Sequence, residues 1–234
     1  MILTSGQQHI LIVLFCAHVM LNHYLRHDPH PRGDSALRVP AAMGILTALL
    51  FLDLWGLVAA LLVFAAYGLI HWLARNGRAS TCWHYLGEHA VSIALLIAIV
   101  AWVGDAGSGA WLAIFTGPPL QAIAILTGLA FLWWTGSRAV RLLVKDLPKP
   151  ESGAPEAGAL IGRLERSLIL FLVLAGAPSG IGLLVAAKSI LRFGEVRDAD
   201  NREMAEYVLI GTLASFAFAI PVAYVTAMLV RWAK

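Results

Sequence analysis

Long apolar runs separated by short polar segments organise this chain of 234 residues. The first run covers about residues 8 to 25 and gives way to the polar segment RHDPHPRGDSALR. A second apolar stretch, 40 to 74, is interrupted only by Asp53. As one helix it would be about 52 Å long, against a bilayer hydrocarbon core of about 30 Å. The pattern therefore predicts a short helix over about 39 to 52, re-entrant or held by its neighbours, and a full one over about 55 to 75. After the loop ARNGRASTCWHYLGE comes a run from about 88 to 103, then GDAGSGA, which holds no Lys or Arg. Pro118 and Pro119 would break a helix running through WLAIFTGPPL, so the next span is placed at about 119 to 136. It ends on Trp133 and Trp134 at headgroup depth.

The stretch ILFLVLAGAPSGIGLLVAAKSILRF has a Pro at its middle and two cations near its end. Two helices folded back at Ala177–Gly180 explain both features. Each would be about 17 to 19 residues long, and Glu165 and Arg166 would return to the level of Lys188 and Arg192. Lys188 and Arg192 share a helix face at i,i+4, within reach of Glu165, and Glu195 could pair with Arg166. The hairpin is then closed by ion pairs at its open end. The same cations could instead bind an anionic lipid headgroup. Small residues mark packing faces: Gly158 and Gly162 form a GxxxG, and Gly211, Ser215 and Ala219 recur at every fourth position. These faces serve packing within the chain or association with another.

Composition fixes the class. Hydrophobic residues make up 59% and charged ones 13%, where soluble domains carry about 25% charged. The reading is an all-α, polytopic membrane bundle of about eight helices, with seven as the alternative. Lys and Arg concentrate in the loops at 26–38, 75–88, 137–157 and 194–205, while the connections around Asp53, Asp105 and Pro178 hold none. By the positive-inside rule the first set faces the cytoplasm. Eight spans leave Arg231 and Lys234 outside, whereas seven export Arg197 and Arg202. The N-terminal run lacks a basic n-region and a small-residue cleavage site, so it reads as a retained span. Cys16 and Cys82 fall at different depths, which argues against a disulfide. A net charge of +3 speaks to orientation and not to nucleic acid. The chain divides into membrane helices over 1–145, a Pro/Gly/Glu-rich linker at 146–157, and the hairpin with a last span over 158–234.

All eight histidines lie at or before position 89. His18, His71, His84 and His89 fall toward the cytoplasmic ends of three spans, and Glu88 follows His84 at i,i+4. These five residues could converge on a divalent transition metal, which would make a nucleophile of a bound water. The plainer reading makes them interfacial residues bonded to backbone, headgroups and water. No HExxH or paired-carboxylate motif accompanies them.

The blocks GALIGRLERSLI, GLLVAAKSILRFGEV and AEYVLIGTLASF, in that order, resemble a bacterial family of integral membrane proteins known only as a domain of unknown function. The resemblance implies a His-x-x-x-Asp in the first span, another at the end of a later span, and a further His, together suggesting an intramembrane metal site. Here His18 matches, but Asn22 stands at the acid position; His71 matches, but Arg75 follows it; His89 matches the last. The expected function is an accessory or structural subunit of the bacterial inner membrane, packing against a membrane-protein partner or a second copy within the bilayer. The alternative is a metal-dependent hydrolase of a lipid or isoprenoid phosphate at the cytoplasmic interface.

Overall fold

The structure, a computed structural model, describes residues 3–26, 35–51, 54–76, 81–103, 116–147, 155–192 and 202–234. Among the described residues there are eight helices and no strand. They are α1 (Ser5–Arg26), α2 (Ser35–Phe51), α3 (Leu54–Asn76), α4 (Cys82–Val103), α5 (Pro118–Leu143), α6 (Pro155–Leu174), α7 (Gly180–Arg192) and α8 (Arg202–Trp232). Three segments, Cys82–Val103, Pro118–Leu143 and Glu206–Trp232, are long and apolar enough to cross a bilayer. Arg38–Leu50, Leu57–Ile70 and Gly180–Ile190 are shorter apolar helical segments.

Local chemistry sets the helix ends. Thr4 and Gln7 form a capping box at α1: the Thr4 amide donates to Gln7 Oε1 at 2.8 Å, and the Gln7 amide donates to Thr4 Oγ1 at 3.4 Å. Thr81 caps α4 by accepting from the His84 amide at 3.4 Å. Pro118 opens α5 after Gly117, whose φ of 66° only glycine adopts without strain. The apolar run of α5 stops near Trp134, but the helix continues to Leu143. Its last turns hold Arg138 and Arg141, good helix formers that prefer the wet end of a span.

The break between α6 and α7 is a Schellman turn. Ala177 N–H donates to Leu172 O at 2.8 Å and Gly176 N–H to Val173 O at 3.1 Å, with Gly176 at φ 73°. Pro178, two residues further on, prevents α6 from continuing. The two legs are unequal: 20 residues in α6 and 13 in α7, where similar lengths were expected.

Two compact units divide the chain, one made of residues 1–127 and 228–234 and the other of 128–227. The stretch read as a linker, 146–157, falls within the second of these, and residues 148–154 lie outside the described ones. In the first unit Ile10, Leu14, Met43, Val63, Tyr67 and Leu96 are fully enclosed. There α2 and α3 approach closely at Gly44, where an added Cβ would lie 3.2 Å from both Ala60 O and Phe64 Cβ. In the second unit Leu132, Ile169, Phe216, Ala219 and Ala223 form the core.

The tightest of the described glycines in the second unit is Gly128. A Cβ there would sit 2.3 Å from Thr226 Oγ1, which is held by its own bond to Val222 O at 2.8 Å. Gly158 meets nothing within 4 Å among the described residues, and at Gly162 the contact is the Arg166 side chain of the same helix. The GxxxG therefore does not seat a neighbouring helix within this unit, and Gly211 makes only an ordinary 3.9 Å contact with Val144. Gly128→Ala is expected to lower stability by about 1–3 kcal/mol through overpacking. Gly158→Ala should leave it unchanged or slightly raised. Thermal unfolding of the two variants in detergent measures the contrast.

Candidate functional site

In the first unit a polar cluster is enclosed by α1, α3 and α4. His18 is 1% exposed and His89 5%. His18 and Asn22 are one turn apart on α1, Tyr67 comes from α3, and His89 and Ser92 come from α4. His18 Nε2 lies 3.0 Å from His89 Nδ1, and their rings meet edge-on with centroids 5.2 Å apart. On its other side His18 Nδ1 receives Asn22 Nδ2 at 3.0 Å and the Tyr67 hydroxyl at 2.9 Å. Tyr85 packs edge-on against His89 at 4.8 Å, and Ser92 hydrogen-bonds Tyr67.

The bonds of Asn22 point to one assignment of the protons. Asn22 Nδ2 also donates to the His18 backbone carbonyl at 2.9 Å, and a carbonyl can only accept. The amide nitrogen, not its oxygen, therefore faces His18, and Nδ1 must present a lone pair. The His18 proton is then on Nε2 and is donated to His89 Nδ1. His89 in turn carries its proton on Nε2. Tyr67 adds a second donor to the same Nδ1. Both nitrogens of His18 are thus engaged in bonds that tie three helices together.

A tetrahedral metal centre asks for lone pairs from about three or four side chains. Here His18 has none to give in this tautomer. Among the described residues no three His, Cys, Asp or Glu side chains converge as a metal site requires. Of the five residues read as ligands, the structure brings His18 and His89 into contact. His84 is exposed at the start of α4, with Nδ1 3.2 Å from the Thr81 hydroxyl that caps the helix. Glu88 is half-buried one residue before His89. The side chain of His71 lies outside the described ones, as do His27 and His30. Tyr67 and Ser92 were not singled out in the sequence, although Tyr67 precedes His71 by four residues on one face of α3.

The second unit holds a different polar centre. Arg166, 3% exposed, donates Nε–H to Leu132 O at 2.9 Å, one terminal nitrogen to Ser215 Oγ at 2.9 Å and the other to Ser137 Oγ at 2.6 Å. One guanidinium so joins α5, α6 and α8. Gly136, one turn beyond Leu132, leaves the lane open: a Cβ there would press on Arg166 Nε at 3.3 Å and on Phe218 at 2.9 Å. Among the described residues the three bonds of Arg166 go to neutral oxygens, and its expected pairing with Glu195 falls outside them. Glu195 and the Arg192 side chain lie outside the described ones. Glu165 takes the opposite direction and meets Lys188 Nζ at 2.5 Å, with the ammonium 5.6 Å from the Phe216 ring centroid. Ser215, expected to pack, serves instead as an acceptor for the buried cation.

The fold and its two polar centres define the class: an all-helical bundle suited to a bilayer, with buried side-chain ties between helices. Comparison with known proteins gives no matching family model, no matching curated protein and no matching solved structure.

Proposed function

We propose that this chain is a multi-pass protein of the bacterial inner membrane, with about eight membrane helices, working as an accessory or structural subunit that packs against a membrane partner. The observation that carries this reading is the closed hydrogen-bond set of His18. Its Nδ1 accepts from Asn22 and Tyr67 and its Nε2 donates to His89, so the ring spends its polar capacity on joining helices. Arg166 does the same among α5, α6 and α8. Large apolar side chains left exposed, among them Leu61, Trp83, Phe171, Leu183 and Ile190, suit lipid or a partner helix. The resemblance of the three C-terminal blocks to a bacterial membrane family belongs to the same proposal.

One observation favours the alternative of a metal-dependent hydrolase of a lipid or isoprenoid phosphate: His18 and His89, 71 positions apart, do meet. That reading needs the His18 tautomer reversed. Elemental analysis of the gently purified protein, beside a His18→Ala, His71→Ala, His89→Ala triple variant, separates the two. The subunit reading expects no stoichiometric transition metal in either. About one equivalent in the native protein, lost in the variant, would overturn it.

A further inference from the structure

Among the described side chains, cations at one end of the second unit outnumber the carboxylates. Arg163 lies one turn from Arg166 on α6, and Arg141 lies one turn beyond Ser137 on α5. Both are near enough to the buried guanidinium to repel it, although the neighbouring Glu165, which also meets Lys188, attracts it more strongly than either repels it. Arg138 and Lys145 occupy the same end of α5 and the residues just after it. Of the carboxylates, Glu165 is engaged by Lys188, and Asp146 and Glu206 are the others among the described side chains of this unit. Among the described residues neither Arg141 nor Arg163 forms an ion pair. Arg141 is exposed and Arg163 half-buried, so both are reachable from outside, while Arg166 is enclosed.

What flanks Arg163 decides the kind of anion. Leu160 and Leu164 lie on either side of it along α6 and are 53% and 57% exposed. A half-buried guanidinium set between exposed leucines fits a ligand with a charged head and apolar tails. Two guanidiniums match the oxygens of a phosphate diester, with donors in a fixed fork. We propose that Arg141 and Arg163, backed by the charge of Arg166, hold the phosphate of an anionic phospholipid whose acyl chains lie along Leu160 and Leu164. One headgroup phosphate would offset the mutual repulsion of Arg141, Arg163 and Arg166, beside the attraction that Glu165 already supplies. Each cation beside an anionic headgroup strengthens binding by roughly fivefold.

The test uses the full chain in detergent, with bound lipid counted by native mass spectrometry during titration with dioleoyl phosphatidylglycerol. Dioleoyl phosphatidylcholine and inorganic phosphate are the comparison probes. Phosphatidylglycerol is expected to be retained in preference to phosphatidylcholine, and Arg141→Gln with Arg163→Gln together should weaken it by roughly 10- to 30-fold. Arg38→Gln, at an exposed arginine of the first unit, should change nothing. Should the double variant fail to fold, Arg141→Gln alone carries the test, with a loss of roughly fivefold expected at an exposed position. Equal retention of the two lipids, or affinity within about twofold after the substitutions, overturns the proposal. Displacement of the lipid by an equimolar amount of inorganic phosphate overturns it too, since the site would then take free phosphate.

Discussion

Arg166→Ala is expected to lower the stability of the protein by about 2–4 kcal/mol, the largest loss from any single side chain outside the apolar cores. The substitution removes three bonds from a charged donor, to Leu132 O, Ser137 Oγ and Ser215 Oγ, each worth about 1.5–3 kcal/mol before the gain from no longer burying a charge. It also leaves a cavity where α5, α6 and α8 meet. Arg166→Met fills the space without the charge and should cost about half as much, because both serines can turn to carbonyls of their own helices. Arg166→Lys keeps the charge but loses the planar fork. Unfolding in detergent, followed by tryptophan fluorescence, ranks the series. If alanine came within about 0.5 kcal/mol of the native protein, the guanidinium would not be a tie between helices at all.

Asn22→Asp should raise affinity for Zn²⁺ by roughly 10- to 100-fold, the usual weight of the partner that orients a ligating histidine. The reason is the direction of one hydrogen bond. Asparagine donates to His18 Nδ1 and forces the proton to Nε2. An ionised aspartate only accepts, so Nδ1 must carry the proton and Nε2 becomes a lone pair facing His89 Nδ1, 3.0 Å away. Asn22→Ala removes the donor without imposing the other tautomer and should gain little. Competition with a chromophoric chelator reads all three proteins. Unchanged affinity in the aspartate variant would show that the proton on Nε2 is not what keeps a metal from this pair.

The helices were legible because a bilayer imposes long apolar runs, and the α6–α7 break because Gly176 and Pro178 leave the backbone little choice. Side-chain direction was harder. Glu165 and Arg166 are neighbours in sequence, so they were read as parts of one ion-pair cluster. One residue along a helix is a rotation of about 100°, which sends Glu165 to Lys188 on α7 and Arg166 into the space between α5 and α8. Ser215 read as a small packing residue and Ser137 was not singled out, and nothing in their local sequence marks them as acceptors. In the histidine cluster, His18 and His89 were named, but their chemistry depends on Asn22 and Tyr67. Asparagine stood out only as a missing acid, whereas in the structure its amide nitrogen sets the tautomer.

The unequal legs of the α6–α7 pair bear on how the chain enters the membrane. A helix of 13 residues is about 20 Å long and cannot span a hydrocarbon core of about 30 Å by itself. Presented alone to the insertion machinery, α7 would also bring Lys188 toward the lipid, at a penalty of about 2.5–3.5 kcal/mol at the centre of the bilayer. Joined to α6 through the Gly176 turn, it enters with Glu165 already alongside that lysine, and the pair crosses the interface closer to neutral. Partition into lipid then waits until the second leg has left the ribosome. Under the proposed membrane topology, the 38 residues from 155 to 192 are expected to insert in one step and not in two.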